Sequence, residues 1–190
     1  RLPACDNHGA GEEAARFLDI IAPYDLILFD AYGVLNVGET AIDGAAETIA
    51  ALRAMGKAVS VVSNSAAYPK AHMMERYARL GFDFTHDEVF TSRDALLDRV
   101  AEEPRRHWGV MLNPVKDMAE FAALGATVLA DNPKVYEQVE GFLLVGADGW
   151  TDARQLLLET SLARHPRPVF VGNPDLVAPR EDGLSLEPGW

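Results

Sequence analysis

Two short apolar runs set the terms on which this chain can fold. Leu26-Ile27-Leu28-Phe29 ends on Asp30, and Ala58-Val59-Ser60-Val61-Val62 ends on Ser63 and Asn64. Continuous apolar runs this short, bounded by polar residues, suit strands buried on both faces of a parallel sheet. Between them Ala45, Ile49 and Leu52 recur at helical spacing, and the pattern stops at Gly56, a residue suited to a helix end. Strand, helix and strand in that order form a βαβ unit, whose crossover is right-handed and whose strands lie parallel. Ligands of open parallel sheets sit outside the carboxyl ends of the strands. Asp30, Ser63 and Asn64 are therefore expected to face one site.

The alternation continues. A helix is expected over residues 69–80, stopping at Gly81, then a strand over 88–91 and a helix over 93–100 with Ser92 as its cap. Past Pro104 a second α/β texture begins, with strands at 108–111, 126–129 and 141–145 and helices at 115–124 and 151–164. A last strand, 168–172, leads into Asn173-Pro174-Asp175. The fold class expected is α/β, a Rossmann-like doubly wound parallel sheet.

Composition narrows the partners. The net charge is -12 and Lys/Arg residues cluster no further than pairs such as Arg105-Arg106, so a nucleic-acid backbone is repelled on average. Any anion must be held locally, by a metal ion and backbone amides. The single cysteine, Cys5, leaves no internal disulfide or multi-cysteine zinc site and agrees with a reducing compartment. No apolar run approaches the roughly 18 to 20 residues of a membrane span, and Arg1 to Gly11 is polar. A soluble, cytoplasmic protein is the expectation, with neither nucleic acid nor membrane as partner.

A carboxylate at the tip of a buried strand, followed by a glycine turn, can attack phosphorus and form an aspartyl-phosphate that water hydrolyses. A divalent cation, most simply Mg²⁺, offsets the repulsion between the two anions. The pattern Phe29-Asp30-Ala31-Tyr32-Gly33-Val34-Leu35, Gly38, Ile42-Asp43-Gly44-Ala45 and Val61-Val62-Ser63-Asn64-Ser65 resembles the haloacid dehalogenase superfamily. It is most similar to the IIA-capped branch, which holds nitrophenyl-phosphate, phosphoglycolate, pyridoxal-phosphate and nucleotide phosphatases. Thr91-Ser92 and Asn173-Pro174-Asp175 extend the resemblance along the chain.

The resemblance implies Asp30 as nucleophile and metal ligand, with the Tyr32 backbone carbonyl as a second ligand to Mg²⁺. Ser63, with Asn64 and Ser65 beside it, would bind phosphate, while Asn173 and Asp175 would shape the substrate pocket. It also implies a haloacid dehalogenase core over 1–92 and 168–190, an α/β cap over 93–167, a small phosphorylated metabolite as substrate and a homodimer through the cap.

Two departures qualify it. Tyr32 stands where the family places a general acid/base aspartate. A phenol, with a pKa of about 10, can donate a proton to a leaving group but is a poor base at neutral pH, and such help is worth about 10²- to 10⁴-fold. The family's lysine and second acidic motif have no counterpart before Trp190, so the expectation is a chain carrying part of the site, with the rest beyond Trp190. Slow phosphomonoester hydrolysis is the leading expectation; the alternative is a catalytically weak or inactive protein that binds a phosphorylated ligand or a protein partner.

Overall fold

The computed structural model describes residues 13–113, 118–180 and 183–189; Cys5 lies outside them. The described chain starts with helix α1 (Phe17–Ile20) and strand β1 (Leu26–Phe29), and turns through a small hairpin of β2 (Asn36–Val37) and β3 (Thr40–Ala41). It continues as α2 (Ala45–Ala54), β4 (Ala58–Ser63), α3 (Lys70–Arg79) and β5 (Val89–Thr91). The three longer strands form a parallel sheet in the order β1-β4-β5, with Leu28 opposite Ser60 and Val61 opposite Val89. The helix ends follow local chemistry: α2 stops at Gly56, whose φ of 74° an L side chain rarely adopts.

A second parallel sheet follows. Its elements are α4 (Ser92–Ala101), β6 (Trp108–Met111), α5 (Ala119–Ala123), β7 (Thr127–Val128), α6 (Pro133–Gln138), β8 (Gly141–Leu144), α7 (Asp152–Arg164) and β9 (Val169–Val171). The strand order is β7-β6-β8-β9. An antiparallel pair, β10 (Val177–Arg180) and β11 (Gly183–Leu186), ends the described chain.

Several expectations change. The run at β1 was expected to be buried on both faces, yet Leu26 is 49% and Leu28 58% exposed, while Ile27 between them is buried. Both crossovers of this sheet step in the same direction, β1 to β4 to β5, and right-handed connections that step one way place their helices on one face. Ile49 and Leu52 of α2 and Met73 and Tyr77 of α3 accordingly join one core cluster with Ile27, Val59, Val61 and Val89. Ser92 is not the cap of α4: the Thr91 hydroxyl accepts the Asp94 N–H at 3.2 Å, and Ser92 is the first helical residue. The strand near residue 169 pairs with β8 in the second sheet, Phe142 opposite Val169, so the return toward the first sheet begins after it. Of the helix expected over 115–124, Ala119–Ala123 is helical and residues 115–117 lie outside the described residues.

Candidate active site

The turn after β1 is built to hold a side chain still. The Ala31 carbonyl, in a residue only 4% exposed, accepts the N–H groups of Val34, Leu35 and Asn36 at 3.3, 2.8 and 3.2 Å. The Gly33 N–H returns a 2.8 Å bond to the Asn36 carbonyl, and Gly33 has a φ of 83°, where an L side chain would be strained. Asp30 enters this turn exposed to solvent, and its Oδ1 accepts the Ala31 N–H at 2.7 Å. Its Oδ2 takes no hydrogen bond among the described residues.

The turn after β4 lies alongside. Ser63 is buried, and its Oγ accepts the Ser65 N–H at 3.2 Å. Asn64 is exposed and its amide donates to the Asp175 carboxylate, tying the first sheet to the segment that follows β9. Asn173 closes that segment: its Oδ1 accepts the Asp175 N–H at 3.0 Å and its Nδ2 donates to Glu187 at 3.2 Å.

These turns surround an open cleft of about 240 Å³ at the carboxyl ends of β1 and β4. Asp30, Tyr32, Ser63, Asn64 and Ser65 line it from the first unit, and Asn173 and Asp175 line it from the other side. The seven candidate site residues of the sequence thus line one cleft. Tyr32 is 37% exposed there.

Further lining residues were not foreseen, among them Arg76, Tyr68 and Glu187. Arg76 brings a cation: its Nη2 donates to the Gly38 carbonyl at 2.7 Å and pairs with Glu39 at 2.8 Å, while its buried Nε has no partner among the described residues. Its spacing from Met73, one helical turn away on α3, was a usable signal, since both line the cleft. Tyr68 and Glu187 had none. Behind the cleft, Tyr77 is 1% exposed, and burial pushes its phenol up to about 12 against the pull of the neighbouring Arg76 charge.

Mg²⁺ binds oxygen, commonly through one or two carboxylates, with waters and substrate phosphate completing the set. The Asp30 carboxylate, whose Oδ2 takes no hydrogen bond among the described residues, and the Tyr32 carbonyl fit that donor chemistry. Among the described residues no group of three or more His, Cys, Asp or Glu side chains gathers to hold a metal.

The haloacid dehalogenase-like hydrolase family matches residues 27–127, from β1 into β7. The chain belongs to the haloacid dehalogenase-like hydrolases. It is 36% identical over 125 residues to the glycerol-3-phosphate phosphatase of Rattus norvegicus, a stretch covering 61% of this chain and 39% of that protein. A haloacid dehalogenase-like hydrolase from Brucella suis 1330 superposes with a TM-score of 0.74 at 25% identity, covering 93% of this chain and 66% of that one. A glycerol phosphate phosphatase from Mycobacterium tuberculosis, crystallised with magnesium, superposes with a TM-score of 0.67 at 19% identity, covering 87% and 48%. The chain thus spans less than two thirds of each of these relatives. Among the described residues no helix is long and apolar enough to cross a membrane.

Proposed function

We propose that this protein hydrolyses small phosphomonoesters through an aspartyl-phosphate on Asp30. The observation that carries the reading is the meeting, in one open cleft, of the Asp30 carboxylate and the Ser63–Ala67 turn. Asp30 Oδ2 attacks phosphorus as the bond to the leaving oxygen breaks, and the Tyr32 hydroxyl supplies the proton that oxygen takes. Ser63, Asn64, Ser65 and the backbone amides of the turn hold the remaining phosphoryl oxygens. Water then attacks phosphorus and gives a proton to the Tyr32 phenolate, releasing inorganic phosphate and restoring the Asp30 carboxylate and the Tyr32 hydroxyl. Asp30 and the Tyr32 carbonyl would hold Mg²⁺, which would supply charge neutralisation when bound. Asn173 and Asp175 border the leaving group, and the second sheet unit, from α4 through β9, acts as the cap. The name of the rat relative makes glycerol 3-phosphate the first substrate to try.

The test is turnover of nitrophenyl phosphate and glycerol 3-phosphate in Mg²⁺, with Asp30→Asn alongside. The parent rate is expected to fall to background in the variant; equal rates in both sink the reading. A second reading, phosphate binding without turnover, is favoured by Tyr32 standing where a carboxylate base is expected. Tyr32→Asp is then the discriminating change: a rise of about 10²-fold or more supports an enzyme limited by its base.

A further inference from the structure

Arg93 plays no part in the proposed hydrolysis, yet it is the largest of the fully buried side chains, at 0% exposure. A guanidinium keeps its charge, so burying one is costly unless partners meet its donors. Its partners come from both sheet units. Nη1 donates to the Ala67 carbonyl at 3.2 Å, Nε donates to the Glu120 carboxylate on α5, and the guanidinium lies 4.7 Å over the Phe121 ring. The backbone N–H of Arg93 also donates to the Ser65 carbonyl at 3.4 Å. One residue thus holds the carbonyls at both ends of the Ser65–Ala67 segment.

Holding a carbonyl also aims an amide. In a planar trans peptide the C=O and the following N–H point in opposite directions. The Ser65 and Ala67 carbonyls turned toward Arg93 therefore turn the N–H groups of Ala66 and Tyr68 away from it, and both residues line the cleft. The second sheet presses on the same turn. A Cβ on Gly146, just past β8, would lie 3.1 Å from the Ala67 Cβ, and one on Gly172, just past β9, 3.0 Å from the Ala66 Cβ. Ala66 itself belongs to the core cluster of the second sheet, with Leu96, Val110 and Leu143.

We propose that Arg93 is the positioning residue of this turn: it aims the Ala66 and Tyr68 amides, and its pair with Glu120 makes that aim depend on where the second sheet sits. That the aimed amides receive a phosphoryl group rests on the function proposed above; the tie itself does not.

The test uses the whole chain and two variants that keep their volume. Glu120→Gln alters a side chain that is 40% exposed, and Arg93→Lys keeps the charge but loses the planar fork. Backbone hydrogen exchange and inorganic phosphate affinity are measured in each, with the melting temperature as control. Exchange at the residue 93 amide, which donates to the Ser65 carbonyl, is expected to rise about tenfold in both variants while β6 and β8 amides hold, the loosening expected from one lost hydrogen bond. The dissociation constant for phosphate is expected to rise about tenfold with it. Unchanged exchange at the residue 93 amide in both variants, or loosening spread evenly over the second sheet, overturns the proposal. Exchange that responds in a protein whose parent binds no phosphate upholds the tie and sinks the phosphate reading.

Discussion

The two sheets share strand type and direction and differ in how they are covered. In the second, every residue of β6 is buried, and Val110, Phe142 and Leu143 are each 0% exposed. In the first, Leu28 is 58%, Val62 47% and Phe90 53% exposed, all on one face. The cause is strand order. From β6 the chain steps outward to β7, then crosses back over β6 to β8 and on to β9. That reversal puts α4 and α5 against one face, with Leu96, Val100 and Phe121, and α6 and α7 against the other, with Tyr136 and Leu158. The first sheet steps one way only and gains helices on one face. The candidate site sits on the strand ends of the first unit, where Asp30 is exposed.

Substitutions can break this contrast. Phe142→Ala, in the second core, is expected to cost about 3 to 5 kcal/mol in denaturant unfolding. Gly141→Ala comes next. A Cβ there would overlap the Trp108 ring, and overpacking of this kind costs about 1 to 3 kcal/mol.

Each unit also buries one tyrosine, Tyr77 in the first and Tyr136 in the second, and burial pushes both phenols up to about 12. A phenol with its folded-state pKa above the unfolded value of about 10 stabilises fully below pH 10 and loses that contribution as pH rises toward 12. Thermal melts are therefore expected to fall between pH 10 and 12. Tyr77→Phe and Tyr136→Phe should each flatten part of the fall and change stability at pH 7 by less than about 1 kcal/mol. A fall that neither variant alters breaks the assignment.

The smallest effect is expected on the bare face. Leu28→Ser in the 190-residue chain should cost no more than about 0.5 kcal/mol, as exposed substitutions generally do. A loss comparable to that of Phe142→Ala would show that the face is covered in solution.

Much of this architecture could be read before any coordinates, and the gaps have physical reasons. Periodicity and a terminal glycine located α2 within a residue, because helical spacing and a positive-φ stop are local properties. The exposure of Leu26 and Leu28 was hidden, because an apolar run reads the same whether one face or both are covered; strand order decides, and it is not local. Placement of β9 in the second sheet depended on the same non-local fact. Helix α6 escaped because Asn132-Pro133 resembles a turn, although the Asn132 side chain accepts the Lys134 N–H and caps a helix there. In the site, Asp30, Ser63 and Asn64 were legible because strand ends converge. Arg93 was not: nothing in Thr91-Ser92-Arg93 indicates that a guanidinium is buried between two units.

The covalent chemistry proposed at Asp30 is read directly by acid-quenched mass spectrometry. After brief mixing with substrate and Mg²⁺, a phosphoryl group is expected on the peptide carrying Asp30 and not on that of Asp30→Asn. Turnover without a phosphoryl group on Asp30, or with one on another residue, would contradict the account.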